Sequence, residues 1–161
     1  MSNANRHDIQ VLNGLIRTTI DSADLYREAA QETADPGHAD LFRRRDQERR
    51  HLADELGSNV RAMGGDPQTD GSILAKAQRA FMDMKHALLR DELSVVGAVE
   101  DVEDTVKSRF EQALDDSHIS ATTRETIRRA WSRVRGQHDE MNDLKHSLEG
   151  QRDAGSRLFP Y

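Results

Sequence analysis

The stretch VVGAVEDVEDTVKSRFEQAL, residues 95–114, decides the fold. At 100° per residue its apolar side chains fall on one face of a helix, and Glu103 falls within that face rather than opposite it. Burying an ionised carboxylate without a partner is strongly unfavourable. The sequence therefore predicts that a metal ion, an arginine or a histidine contacts Glu103 in the core.

Composition restricts the class of protein. The chain has 161 residues, no cysteine and a net charge of -6 with acidic and basic residues interleaved. This length suits one domain, and the charge pattern argues against a nucleic-acid surface, which needs a basic face. No apolar run approaches the roughly 20 residues of a membrane span. The N-terminus carries no hydrophobic signal segment, which predicts a cytoplasmic location.

Apolar residues recur at helical spacing in four long segments separated by clear breaks. The breaks are DPG (35–37), GGDP (64–67) and DDSH (115–118). The predicted helices cover residues 8–33, 38–63, 91–115 and 122–148, and Thr122 with Glu125 fits a capping box for the last one. Together they predict one all-α domain over residues 1–149, followed by a flexible tail over 150–161 that ends LFPY.

The long connection between the second and third predicted helices determines the topology. Two antiparallel neighbours need only a short loop, whereas about 25 residues lie here, so these helices should run parallel and side by side. The connection contains an amphipathic pattern over residues 72–89, which predicts a short extra helix outside the bundle. The sequence thus predicts two helical hairpins joined by a crossover. A faint repeat, YREAA (26–30) against FEQAL (110–114), agrees with two similar halves.

Several short motifs resemble one family of proteins. They are LNGLI (12–16), YREAA (26–30), GGDP (64–67), FMD (81–83) and EDVED (100–104), together with Asp21, Glu48 and Arg49. As a set they resemble an uncharacterised bacterial family of four-helix-bundle proteins in the ferritin-like superfamily. The resemblance covers residues 8–148 and implies a ferritin-like bundle of unknown activity. Rubrerythrin and ferritin, which carry a di-iron centre, are similar in helix order.

The resemblance implies a metal site that can be checked against the residues. A di-iron bundle needs one Glu from each of two helices and a Glu-x-x-His from each of the others. Glu48, His51, Glu103 and His138 match that pattern as candidate ligands. Thr19 and Arg135 stand where two further carboxylates are expected. This incomplete set makes iron or another divalent metal the alternative interpretation, and the main expectation is a protein without a cofactor.

A buried polar cluster is the preferred interpretation of Glu103. Arg45 and Arg49 lie near the inner face of the second helix, and the planar guanidinium of arginine suits a carboxylate. We predict that Arg49, or secondarily Arg45, pairs with Glu103, and that His138 donates a hydrogen bond to the same carboxylate.

The expected function is that of a helical bundle that is not an enzyme, acting in stress protection or as a scaffold for a protein partner or a second copy. The alternative is a degenerate di-iron or mononuclear metal protein with redox or storage activity. Acidic residues around Glu103 and the polar stretch around Glu48 also fit solvated helix faces. No arrangement of Ser, His and Asp for nucleophilic catalysis is recognisable in the sequence.

Overall fold

The computed structural model describes residues 3–86 and 92–158, and these ranges are all-α. The helices are α1 (Asn3–Glu32), α2 (Pro36–Ala62), α3 (Leu74–His86), α4 (Glu92–Asp115) and α5 (Ala121–Leu158). The four long helices pack as a bundle, and α3 lies in the connection between α2 and α4. In the described ranges no helix is both long and apolar enough to cross a membrane.

The bundle consists of two antiparallel hairpins. Helix α1 packs against both α2 and α4, and α4 packs against α5. His7 contacts Asp116 at one end of the bundle, and Thr33 contacts Glu92 at the other, so α1 and α4 run in opposite directions. Helices α2 and α4 are therefore parallel, in agreement with the length of the crossover. The expectation that they lie side by side is wrong: they face each other diagonally, because α1 lies between them and packs against both.

Two apolar clusters fill the interior, one towards each end of the bundle. Helix α5 contributes strongly to both, because Ile127, Val134 and Met141 are fully buried. Trp131 of the same helix stacks on Phe110 of α4 with ring centroids 5.7 Å apart. Such stacking adds to the free energy gained by burying the two rings. The last helix is thus part of the core and not an appendage.

Helix α5 begins one residue before the predicted start. Ser120 is the residue that caps it, and its Oγ accepts a hydrogen bond from the Thr123 backbone N–H at 3.2 Å. Asp8 of α1 adds a second cap, since its carboxylate accepts from the Ser120 N–H and from the Thr123 hydroxyl. The predicted capping box is wrong, because Thr122 lies within the helix and Glu125 contacts arginines one turn further along.

At its other end α5 continues to Leu158, past the expected limit of Leu148. Gly150 and Gly155 lower helix propensity by about 1 kcal/mol each but do not prevent a helix. The first proline after the break at 115–118 is Pro160, so no strong helix breaker is present before that residue. Within the expected tail, residues 150–158 are helical, and 159–161 lie outside the described residues.

Polar residues of α1 fix the start of the crossover. Asn13 donates to the Asp66 carbonyl and accepts from the Gln68 N–H at 2.7 Å. Asp21 accepts hydrogen bonds from the Ser72 hydroxyl and from the backbone of residues 72–73. A Cβ atom on Gly71 would overlap an Asp21 carboxylate oxygen, so glycine permits this close approach. These contacts position α3 along the second half of α1.

Helix α3 should be the least stable helix of the fold. It packs mainly on α1 through Phe81, which is 2% exposed, while Lys76, Arg79 and Met82 face solvent. A helix with few buried contacts opens more readily than its neighbours. We expect amides of residues 74–86 to exchange with deuterium faster than those of residues 95–114. Equal protection in both segments, measured by mass spectrometry, would contradict this placement.

A hydrogen-bond cluster around Glu92 joins the α1–α2 turn to the start of α4. Its carboxylate accepts from the Thr33 hydroxyl at 2.6 Å and from the Ala34 N–H at 2.8 Å, and contacts the His38 ring at 2.6 Å. Partial burial raises the pKa of Glu92, but the hydrogen bonds from His38, Thr33 and Ala34 outweigh it and lower the pKa below 4.5. The ionised form therefore stabilises this end of the bundle.

Replacing Glu92 by Gln should lower the free energy of unfolding by about 1 kcal/mol at neutral pH. Because the pKa of Glu92 is lower in the folded state, its contribution is present above pH 4.5 and is lost as the pH falls through that lowered value. Urea unfolding at neutral pH and near pH 3 should therefore give a difference that shrinks in acid. Glu111→Gln, on the exposed side of α4, is the matched control. A difference that does not change with pH would argue against the assignment.

Candidate functional site

An ion pair between Arg49 and Glu103 lies at the centre of the bundle. The Arg49 Nη1 and Nη2 atoms donate to the two Glu103 carboxylate oxygens at 2.6 and 2.8 Å, and both side chains are 0% exposed. The sequence pattern predicts this pairing. The contact is bidentate, with two parallel hydrogen bonds, which is a strong arrangement for arginine and a carboxylate. Burial lowers the pKa of Arg49, but Glu103 outweighs it and raises the pKa, so the guanidinium stays charged.

Three further side chains surround the pair. The Ser22 hydroxyl accepts from Arg49 at 3.1 Å and donates to the Thr19 carbonyl. The Gln137 side-chain oxygen accepts from Arg49 Nε at 2.9 Å. The Tyr26 ring lies 5.7 Å from the guanidinium carbon, within the range of a cation–π contact. Each of the three guanidinium nitrogens of Arg49 thus donates at least one hydrogen bond.

Tyr26 is the one imperfect member of this cluster. Its side chain is 1% exposed, and in the described part of the chain its hydroxyl has no hydrogen bond of good geometry. Burial, reinforced by the nearby Glu103 charge, raises the pKa of Tyr26 well above 10.0. The phenol therefore stays neutral, as a buried hydroxyl beside a carboxylate should.

A chain of hydrogen bonds continues from the buried pair to the surface. Gln137 donates to Glu48 at 2.8 Å, and Glu48 also accepts from Arg45 at 2.7 Å. Arg45 in turn donates to Glu140 at 2.8 Å. The network joins α2 to α5 and ends at carboxylates that are partly exposed. Its outer members can thus exchange their partners for water.

Two members of the predicted buried cluster are placed elsewhere. Arg45 is buried but contacts Glu48 and Glu140 rather than Glu103, because it lies about one helical turn before Arg49. His138 contacts Asp104 at 2.9 Å on the outer side of the α4–α5 seam. The prediction that His138 donates to Glu103 is wrong. The neighbouring Gln137 takes the position beside Arg49, since the two residues differ by 100° around the helix.

The four candidate metal ligands do not come together. Glu48 faces Gln137, His51 is largely exposed and contacts Glu55 at 3.1 Å, and Glu103 is bonded to Arg49. Glu48 and His51 do line one cleft of about 320 Å³ between α2 and α5, and Glu103 and His138 are not part of its lining. Within residues 3–86 and 92–158 no three His, Asp or Glu side chains are arranged to hold an ion. A guanidinium between the helices also repels a cation, so these residues do not fit a di-iron centre.

A second concave surface, a groove, lies on the opposite side of the bundle. It follows the seam between α1 and α4, has a volume of about 890 Å³, and is bordered at one end by α3. We call it the α1–α4 groove. Its apolar floor includes Val11, Leu15, Val102 and Ala113. Gly14 also lines the groove as an exposed residue of α1, and a Cβ atom there would meet nothing within 4 Å.

Two arginines border the open half of the α1–α4 groove. Arg17 of α1 makes only a long hydrogen bond, 3.4 Å, to the neutral side chain of Gln68. Arg109 of α4 is exposed and has no ion pair among the described residues. The nearby carboxylates are already used: Asp21 fixes residues 72–73, and Asp116 contacts His7 at 2.7 Å. The lining of the α1–α4 groove therefore carries both signs of charge, with Asp21, Asp101 and Asp116 alongside the basic side chains.

The comparison with known families matches residues 7–116 to the profile described as "Domain of unknown function (DUF2383)". The chain belongs to the DUF2383 family. A search of curated proteins finds no match for the sequence. The DUF2383 match spans α1 to α4 and ends one residue after α4, so the family region contains both Arg49 and Glu103.

The α1–α4 groove lies wholly within the DUF2383 region, whereas the buried cluster does not. Gln137, which accepts from Arg49, belongs to α5 and thus lies beyond the matched residues. The same is true of the buried apolar side chains that α5 contributes to the core. The four-helix bundle of this DUF2383 protein is therefore completed by residues outside the family match.

Sequence reasoning missed three residues that contact the Arg49–Glu103 pair. Two of them could have been found from their position in the helical pattern of the sequence. Ser22 and Tyr26 both fall on the apolar stripe of α1, where a hydroxyl needs a partner. Gln137 is not distinguishable from His138 by periodicity, because both lie one turn from Val134 and Met141. The α1–α4 groove also leaves no pattern, since it depends on how much of the seam α3 covers.

Proposed function

We propose that this protein is a helical scaffold that is not an enzyme and that binds another protein through the α1–α4 groove. The observation that carries the proposal is the incomplete cover of the α1–α4 seam. Helix α3 lies over the half of the seam near Leu25, and the half near Gly14 is open with an apolar floor. Open apolar surfaces of this kind commonly mark sites of protein interaction.

The location of the polar residues supports a role other than catalysis. The best-formed polar cluster is sealed, since Arg49 and Glu103 are both 0% exposed and bonded to each other. A substrate would have to open the bundle to reach them. The α1–α4 groove instead has an apolar floor, and the histidine beside it, His7, is already bonded to Asp116. The groove therefore suits the binding of a partner better than catalysis.

The ferritin-like class is our proposal for the fold family. Two antiparallel hairpins, a crossover that carries an extra helix and a parallel arrangement of α2 and α4 support it. On this proposal Arg49 occupies the centre of the bundle, the position at which a ferritin-like relative holds metal. Its charge-assisted bonds to Glu103 would replace metal bridging as the link across the bundle.

Photo-crosslinking in cells of the source organism tests the scaffold proposal. A photoreactive residue replacing Thr105, which is exposed on the groove wall, should give a discrete adduct of higher mass. The same residue replacing Ser132, exposed on α5 outside the groove, should not. Gly14→Trp places a large ring on the groove at a position where a Cβ atom meets nothing within 4 Å, and it should abolish the adduct from position 105.

Two results would overturn the proposal. One is the absence of any adduct from position 105 at normal expression. The other is an adduct that survives Gly14→Trp unchanged, because a partner seated in the groove must meet the added ring. Gly136→Trp is the matched control, since a side chain at Gly136 also meets nothing within 4 Å but projects from the exposed face of α5.

A further inference from the structure

We infer that the chain modifies itself at Asp70–Gly71: the Gly71 main-chain nitrogen closes on the Asp70 carboxyl group, and the product is an isoaspartyl linkage in the loop before α3. An aspartate or asparagine followed by glycine is the pair in which this ring closure is least hindered, because glycine has no Cβ atom. The sequence contains one Asp-Gly pair, at 70–71, and one Asn-Gly pair, at 13–14. The fold restrains these two pairs to very different degrees.

The Asn13–Gly14 pair is held on both sides of the bond that would form. It lies in the interior of α1, so the Gly14 N–H is bonded to the carbonyl one turn earlier. The Asn13 side chain donates to the Asp66 carbonyl at 3.0 Å and accepts from the Gln68 N–H at 2.7 Å. Ring closure at this pair would break the helix and both side-chain hydrogen bonds. Although an amide is ordinarily attacked more readily than a carboxylate, the fold protects Asn13.

The Asp70–Gly71 pair has neither restraint. It lies in the non-helical segment between α2 and α3. Asp70 is exposed, and its carboxylate makes only a long contact, 3.4 Å, with the Thr69 hydroxyl. Among the residues that the structure describes, the Gly71 N–H has no hydrogen-bond partner. Both reacting groups are therefore available, and no helix has to unwind before they meet.

The glycine that makes this pair reactive also permits the anchor of α3. A Cβ atom on Gly71 would overlap the Asp21 carboxylate oxygen that accepts from the backbone of residues 72–73. A larger residue at position 71 would remove the reactive pair, but it would also displace the contact that positions α3. The close approach of the crossover to α1 thus brings the reactive pair with it.

The reaction consumes no reagent besides water. The Gly71 nitrogen loses its proton and bonds to Asp70 Cγ, a carboxyl oxygen leaves as water, and a succinimide ring results. Water then adds to one of the two ring carbonyls. Breaking the bond from nitrogen to Cγ restores aspartate, whereas breaking the bond from nitrogen to the main-chain carbonyl carbon routes the chain through Cβ. The isoaspartyl product keeps the charge of aspartate, and its main chain is longer by one carbon atom.

The longer main chain changes how α3 is held. Asp21 accepts from the Ser72 hydroxyl and from the residue 73 N–H, and α3 begins directly afterwards at Leu74. One added carbon atom at residue 70 shifts these donors relative to Asp21 and weakens the hydrogen bonds. We expect the amides of residues 74–86 to exchange with deuterium faster in the isoaspartyl form, because their anchor on α1 is loosened.

Peptide mapping after long incubation tests the inference. The full-length chain is kept folded in heavy-oxygen water at neutral pH and physiological temperature, and is then digested with trypsin in ordinary water. Cleavage after arginine and lysine places residue 70 in the peptide 62–76 and residue 13 in the peptide 7–17. The peptide 62–76 should gain one heavy oxygen several-fold faster than the peptide 7–17 deamidates, and part of it should elute separately as the isoaspartyl form. In the chain unfolded by guanidinium this order should reverse.

Asp70→Glu is the matched control, because glutamate keeps the charge but would have to close a larger and much slower ring. Its peptide 62–76 should stay unlabelled, since the other aspartate there, Asp66, precedes a proline that has no N–H. Equal labelling of this peptide in the two chains would overturn the inference. Deamidation of Asn13 that keeps pace with residue 70 in the folded chain would overturn it as well. Unchanged exchange at residues 74–86 in the isolated isoaspartyl form would overturn the predicted loosening of α3.

Discussion

Replacing Arg49 by Met should lower the free energy of unfolding by about 3–5 kcal/mol, because it leaves the Glu103 carboxylate buried without a counter-charge. The variant should also lose the contacts from Arg49 to Ser22 and Gln137. Urea unfolding followed by circular dichroism measures the loss. Arg45→Met is the matched control, since Arg45 has partly exposed partners, and it should cost about 1 kcal/mol or less.

A double-mutant cycle shows whether the two charges act as a pair. Arg49→Met combined with Glu103→Leu removes both charges and leaves an apolar contact of similar volume. The double variant should recover most of the loss caused by Arg49→Met, because desolvation offsets much of the attraction within the native pair. Strictly additive losses would mean that the two residues do not interact, contrary to the observed distances of 2.6 and 2.8 Å.

Deleting residues 117–161 should abolish cooperative folding, although it keeps all the residues that match the family. The deletion removes Ile127, Val134 and Met141, each fully buried and worth about 1.5–3 kcal/mol. Losing all of them consumes much or all of a typical stability of about 5–15 kcal/mol. The shortened chain should show no sharp thermal transition and poorly dispersed amide resonances.

The matched control is a shorter deletion of residues 150–161. The described contacts of α5 with the core end at Leu148, which packs at the edge of the apolar cluster around Tyr26 and Phe42. Removing the residues that follow should change the melting temperature by less than about 2–4 °C, which corresponds to about 1 kcal/mol for a chain of this size. A folded chain of residues 1–116 would instead show that α5 is dispensable.

The presence of the helices and the central ion pair could be predicted from the sequence, because both follow from the periodic spacing of apolar residues within one segment. The stripe of α4 places Glu103 among valines, and this alone requires a partner. The choice between Arg49 and Arg45 follows from the angle each makes on α2. His138 could not be assigned in the same way, because α5 can rotate by one residue and exchange it for Gln137 without changing its apolar stripe.

Features that depend on the relation between distant segments could not be predicted. The diagonal placement of α2 and α4 depends on how the crossover passes the bundle, and the length of the crossover permits either arrangement. The α1–α4 groove depends on where Asp21 holds residues 72–73, a contact across the fold that leaves no local pattern. The sequence predicts an end of α5 ten residues before Leu158, because Gly150 weakens a helix without ending it.

The cap that Asp8 provides for α5 also dictates an order of events during protein synthesis. Asp8 is translated more than a hundred positions before Ser120 and Thr123, which it binds. At ordinary translation rates the ribosome needs roughly 2 to 9 seconds to add residues 117–161. Throughout that time the apolar faces of α1 and α4 lack their final cover. The nascent chain therefore keeps apolar core residues exposed during this interval, on the side that α5 later covers.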